Sequence, residues 1–204
     1  MSQSNAGYKG FAGLDDGGSE FNRISFAVRQ MLAQVRTAMP VQVVSCTNSG
    51  GLSPAGRVDV QPLVNQVNGA AAPTPHGVIH GLLYVRIQGG ASAVIIDPSV
   101  GDIGVAVFCD RDISAVKATG KQANPGSWRT FSMADGLYIG GALNAVPTQY
   151  VQFADGGINI VSPGTIDIAA AGGVTISGGT TIDSRVFLLH EHPDPQGGTT
   201  GPVV

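Results

Sequence analysis

Residues 156–192 read GGINIVSPGTIDIAAAGGVTISGGTTIDSRVFLLHEH, and their spacing decides the fold. Apolar pairs recur every eight residues at Ile158/Ile160, Ile166/Ile168 and Val174/Ile176, and continue at Ile182/Ser184. One further step lands on His190/His192. In an extended chain, positions i and i+2 point to the same side. The two imidazoles therefore share the register of the Ile and Val side chains before them, and Glu191 points the other way. Each octad is expected to supply one short strand, two inward apolar residues and a Gly-rich corner, with glycines at 156, 157, 164, 172, 173, 178 and 179. One such coil cannot bury both faces of its strand. Residues 146–189 are therefore expected to form a β-helical stalk from several intertwined copies of the chain, with every strand edge paired.

Upstream of the stalk the pattern changes twice. Residues 1–19 are polar and Gly-rich and read as a flexible arm without the apolar core of a signal peptide. Synthesis in a cytoplasm is expected. Ile24, Val28, Met31, Leu32, Val35 and Met39 then mark one face of an amphipathic helix over 20–40, ended by Pro40. From 41 to 145 come short β-type runs, namely 41–46, 56–62, 81–88, 93–96, 103–108 and 128–139, the last broken at Ala134-Asp135-Gly136. Gly, Pro and Asn punctuate them, so a small barrel or sandwich is expected, and an OB-type barrel fits the strand count.

Composition narrows the function classes. Charged residues make up 12% of the 204 positions, against about 25% in ordinary globular domains, and there are 30 glycines. Such a surface suits fibrous β-proteins and tight oligomers. The formal charge is −3 without a Lys/Arg cluster, which disfavours nucleic acid as a partner. No apolar run approaches the ~20 residues of a membrane-spanning helix. Cys46 and Cys109 both lie in apolar runs and read as buried free thiols rather than a disulfide. There is no Gly-rich phosphate loop, no Ser/His/Asp arrangement and no carboxylate pair in a cleft, so an enzyme with a small-molecule substrate is not expected. Asp15-Asp16 reads as a solvated arm and Asp110/Asp112 as a polar loop. His76 and His80 sit among Pro and Gly in 73–81, which reads as a loop without a ligand role.

His190 and His192 are the candidate metal ligands. Alone, a His-x-His pair is a weak motif, and a surface pair on a frayed tail binds nothing. Two nitrogens per chain complete no common site. A two-fold assembly would supply four, as tetrahedral zinc takes. A three-fold assembly would supply six in two layers, which suits Fe(II), Co(II) or Ni(II) better than zinc. A metal so saturated has no open position for water or substrate, and its role is structural. Ligand counting thus favours a homotrimer, with iron the most available metal.

Taken together, these features resemble the membrane-puncturing spike proteins at the tips of contractile phage tails. The resemblance spans about residues 20–204 and rests on Thr37-Ala38-Met39-Pro40, Val58-Asp59-Val60-Gln61-Pro62-Leu63, Val100-Gly101-Asp102-Ile103-Gly104, His190-Glu191-His192-Pro193 and Gly197-Gly198-Thr199-Thr200-Gly201-Pro202. It implies an all-β chain with one N-terminal α-helix, an OB-fold barrel, a trimeric intertwined β-helix and a metal-capped apex over 190–204. It also implies one iron, Fe2+, per trimer held by His190 and His192 of each chain. A tail-tube or baseplate hub protein would be the permanent partner, the host outer membrane the transient one, and the virion the location. The spike of a phage-tail-like bacteriocin or secretion apparatus shares the architecture, and a receptor-binding fibre would use the same stalk. A tail-associated hydrolase with zinc on the same histidines would need a third ligand and a base that the sequence does not offer.

Overall fold

The computed structural model describes residues 17–68, 72–182, 185–186 and 196–197. Its contacts divide the chain into two units between Ala145 and Val146. The first begins with α1 (Glu20–Leu32), followed by β1 (Ala38–Cys46), β2 (Arg57–Pro62), β3 (Gln66–Val67), β4 (Pro73–Thr74) and β5 (Ile79–Tyr84). It continues with β6 (Ile87–Gly89), β7 (Ser92–Val94), β8 (Ile103–Phe108), α2 (Ser114–Thr119), a 3-10 turn (Met133–Asp135) and β9 (Gly136–Gly140). The second contains β10 (Tyr150–Ala154), β11 (Gly157–Val161), β12 (Thr181–Ile182) and β13 (Arg185–Val186). The protein is thus mostly β. Among the described residues no helix is long and apolar enough to cross a membrane.

Five strands close into a barrel in the order β1-β2-β5-β9-β8. All neighbours are antiparallel except β5 and β9, which pair in parallel at Leu83↔Leu137 and Tyr84↔Tyr138. The interior is read off the sequence by a period of two: Val41 and Val43, Val58 and Val60, Leu82 and Tyr84, Ala106 and Phe108, with Tyr138, are all buried. Two irregularities bend the strands for closure. One skips Val44 on β1, between the pairs Val43↔Val60 and Ser45↔Asp59. The other lies on β5, where Val58↔Leu82 is followed by Val60↔Ile79. Gly81 takes φ +70° in this second bulge, a conformation that costs glycine nothing. Its amide donates to Asp59 Oδ1 at 2.8 Å, and His80 Nδ1 lies 2.9 Å from Asp59 Oδ2. The outward carboxylate between two core valines therefore clamps the bulge, and the His80 hydrogen bond is the main reason its pKa lies below the usual carboxylate value.

Close backbone approach closes the barrel between β8 and β9. Gly104 pairs with Gly140, and the Tyr138 ring roofs both. A Cβ on Gly104 would meet Ile139 O at 2.4 Å and the Tyr138 ring at 2.6 Å. The Tyr138 hydroxyl is buried without a hydrogen-bond partner among the described residues, and burial pushes its pKa up to about 12.

Several expectations are corrected by these elements. The helix ends at Leu32 rather than at Pro40. Thr37 O already accepts from Phe108 N at 2.9 Å, and Met39 packs on the barrel core, so β8 captures the chain before another helical turn can form. Pro40 lies inside β1 opposite Val105. Its carbonyl faces the β2 side, where it accepts from Leu63 N at 3.0 Å, so its missing N–H faces that side too and leaves the β8 ladder intact. His80 is on a strand, not in a loop. Residues 128–135 are not a strand, and the excursion between β8 and β9 contains the extra helix α2. Cys46 and Cys109 are free thiols but only half-buried.

Two outcomes are expected. A chain truncated after Ala145 retains a barrel that unfolds cooperatively by circular dichroism; a molten far-UV and near-UV signature would contradict the packing described. Tyr138→Phe removes an unpaired buried hydroxyl and should raise stability by about 1 kcal/mol in denaturant titration.

Candidate functional site

The predicted ligands His190 and His192 lie outside the described residues. Of the other histidines, His80 pairs with Asp59 as above, and His76 Nδ1 lies 2.8 Å from Gln66 Nε2. Among the described residues, no group of three or more His, Cys, Asp or Glu is arranged to hold a metal.

What the structure does bring together in the second unit is an apolar surface. The β10–β11 hairpin turns over Asp155-Gly156, a dipeptide suited to a two-residue hairpin loop. Its register sets Val151 against Ile160 and Phe153 against Ile158, which places all four side chains on one face. The other face carries Tyr150, Gln152, Asn159 and Val161, with Asn159 Nδ2 donating to Gln152 Oε1 at 3.4 Å. Phe153 is 78% exposed and Ile158 61%. The octads continue the surface: Ile166, Ile168, Val174, Ile176 and Ile182 are all exposed. Residues 165–180 form no strand, contrary to the expectation of one strand per octad. A strand needs a neighbour to exchange hydrogen bonds with. The described part of the single chain offers these segments none.

In the first unit, two buried ionic clusters hold the loops. Arg86 and Asp97 are nearly inaccessible. Asp97 Oδ1 accepts from Tyr84 Oη at 2.6 Å and from Arg86 Nε at 3.0 Å, and its Oδ2 accepts from Gly50 N at 2.8 Å. Arg86 also donates to Ser53 O. The β1–β2 loop is thereby tied to the segment before β8. Burial alone would raise the Asp97 carboxyl, but the hydrogen bonds from Tyr84 and Arg86 hold it below the ordinary value.

The second cluster centres on Arg129. Its Nη2 donates to Asp112 Oδ1 at 2.8 Å and its Nε to Asp135 Oδ2 at 2.6 Å, and both carboxylates are buried. Asp112 also accepts from Ser127 Oγ at 2.7 Å and Ser114 N at 2.8 Å, and Asp135 from Ile113 N at 3.1 Å. One guanidinium thus pins both ends of the β8–β9 excursion. Hydrogen bonds from Ser127 and Ser114, aided by the Arg129 charge, bring the Asp112 carboxyl down to about 2. The Arg129 hydrogen bonds lower Asp135 against the opposing effect of burial. Asp112 reads from the sequence as part of a polar loop, and its burial is the part that reading does not give. Each partner is local in space but 17 and 6 residues away in sequence, and no spacing rule marks them. The low overall charge was the available signal, because charges kept in so polar-neutral a chain need a reason.

No family model and no curated protein sequence matches this chain.

The depressed carboxylates give a pH dependence of definite sign. The folded pKa values of Asp112, Asp135, Asp97 and Asp59 lie below the value of 3.8 for a free side chain. Their stabilisation is therefore complete above about pH 4 and is lost as the pH falls through the folded values, toward 2 for Asp112. The thermal midpoint should drop steeply between pH 4 and pH 2, and Asp112→Asn should flatten that drop while lowering the midpoint at pH 7.

Proposed function

We propose that this chain is one subunit of a homotrimeric, non-enzymatic spike that pierces a host outer membrane when a contractile tail fires. The observation that carries the reading is the apolar surface of residues 151–182, where Val151, Phe153, Ile158, Ile160, Ile166, Ile168, Val174, Ile176 and Ile182 are each more than half exposed. Covering them with equivalent strands of other copies would bury them and pair the strandless octads together. Full burial of one such side chain is worth about 1.5–3 kcal/mol, so even partial cover contributes on the order of 10 kcal/mol per chain. Repetition at eight residues supports copies of the same chain as the cover, since only an identical period stays in register along the whole stalk.

The five-stranded barrel is read here as an OB fold, supported by the order β1-β2-β5-β9-β8 with its single parallel pair, and the hub is its proposed partner. At the other end, the donor set fits a structural metal. His190 and His192 would supply two imidazoles per chain and six per trimer, and an iron so held would cross-link three chain ends where the apolar area is small. A low-charge rod with its edges paired suits a load-bearing role.

Elemental analysis of the purified protein should find one iron per three chains, and the double variant His190→Ala/His192→Ala should contain none. Undiminished iron in that variant would remove the apex assignment.

A further inference from the structure

We infer that α1 packs against the α1 helices of two further copies as a short parallel three-helix coil, an interface that rests on the trimeric reading above. The start of the helix is encoded locally. Ser19 caps it, its Oγ accepting from Asn22 N at 3.2 Å, and Glu20 lies in the first turn where the helix dipole favours an acid. The rest of its stability is not local. A helix of 13 residues is at the lower limit of what holds alone in water, about 12–15 residues, and none of its residues is buried.

The apolar stripe repeats in the manner of a coiled-coil seam. Within the helix, Phe21, Ile24, Val28 and Met31 follow one another at steps of three, four and three residues. Phe21 is 75% exposed, Ile24 58% and Met31 68%, with Leu32 beside them at 63%. Asn22, Ser25, Phe26 and Gln30 are half-buried, whereas Phe21, Ile24, Val28 and Met31 stay exposed, so the described residues leave the stripe uncovered.

Charge placement agrees with a symmetric partner. Arg23 and Arg29 fall on outward positions of the helix, and the positions flanking the seam are Glu20, Ser25, Ala27 and Leu32. No two like charges would meet across a coil of identical helices. The seam carries Phe21 and Val28 in one layer type and Ile24 and Met31 in the other, with no Leu in the second type to favour two strands. Fewer than two heptads would be weak as a free peptide. Here only residues 33–37 separate the helix from β1, so three barrels already gathered by the stalk would hold their helices at high local concentration.

The test uses the full chain carrying Val28→Cys on the seam, Arg23→Cys on the outer side as control, and the parent chain to set the background from Cys46 and Cys109. Each is treated with a short bismaleimide and run on a denaturing gel, with mass in solution measured beforehand by light scattering. Strong two-chain product for Val28→Cys alone, in a protein of trimer mass, is the expected result. Trimer mass with no product above background would overturn the coil, including the case in which α1 docks on a different protein, and would leave the trimer standing. Monomer mass would overturn the trimer and the coil with it.

Discussion

The constraint on which the rest of this structure depends is that residues 151–182 carry exposed apolar side chains, at an eight-residue repeat from Ile158 onward, with nothing in the described chain to cover them. Water does not tolerate so continuous an apolar surface on a soluble monomer, where patches rarely exceed a few hundred Å2. The backbone of 165–180 faces the same deficit, since its octads form no strand. The proposed cover by identical neighbours in the same register would meet both the side-chain and the backbone deficit. The proposed trimer, its apex metal and its N-terminal coil are all consequences of that demand.

The barrel is built on the opposite logic, because it closes on itself. Its inward Val, Leu, Ile, Tyr and Phe side chains leave no strand edge unpaired around the ring. Its loops would otherwise be loose, since short strands and many glycines give them little apolar anchorage. The Arg86–Asp97 and Asp112–Arg129–Asp135 clusters supply it instead. Removing the arginine from either cluster would leave a carboxylate of low accessibility without its ion-pair partner, which is destabilising. A barrel held in this way would suit the proposed load-bearing role.

Much of the barrel was legible in the sequence, for a specific reason. Val41 and Val43 flank Gln42, and Val58 and Val60 flank Asp59, at a period of two, and β8 falls on 103–108, the span of its apolar run. Where two periods coincide, reading fails. Met39 fits the helical stripe of Ile24 and Val35, yet it belongs to β1, because long-range pairing with β8 outweighs a local period. Arg129 drew no notice, since its partners Asp112 and Asp135 are joined to it only by the folding of the excursion. His80 could be separated from a metal ligand by its neighbours, but its clamp on the Gly81 bulge needed the β2–β5 register. The octads were legible as a repeat, whereas the strand expected of each is not formed over 165–180. His190 and His192 lie outside the described residues, so their role rests on register and ligand counting alone.

The central claim, that the apolar octads are covered by two further copies of the same chain, is tested most directly by the mass of the intact protein in solution across a wide dilution range. Sedimentation equilibrium should give three times the 20.7 kDa chain mass, unchanged on dilution. A single-chain mass with a cooperatively folded second unit would contradict the account.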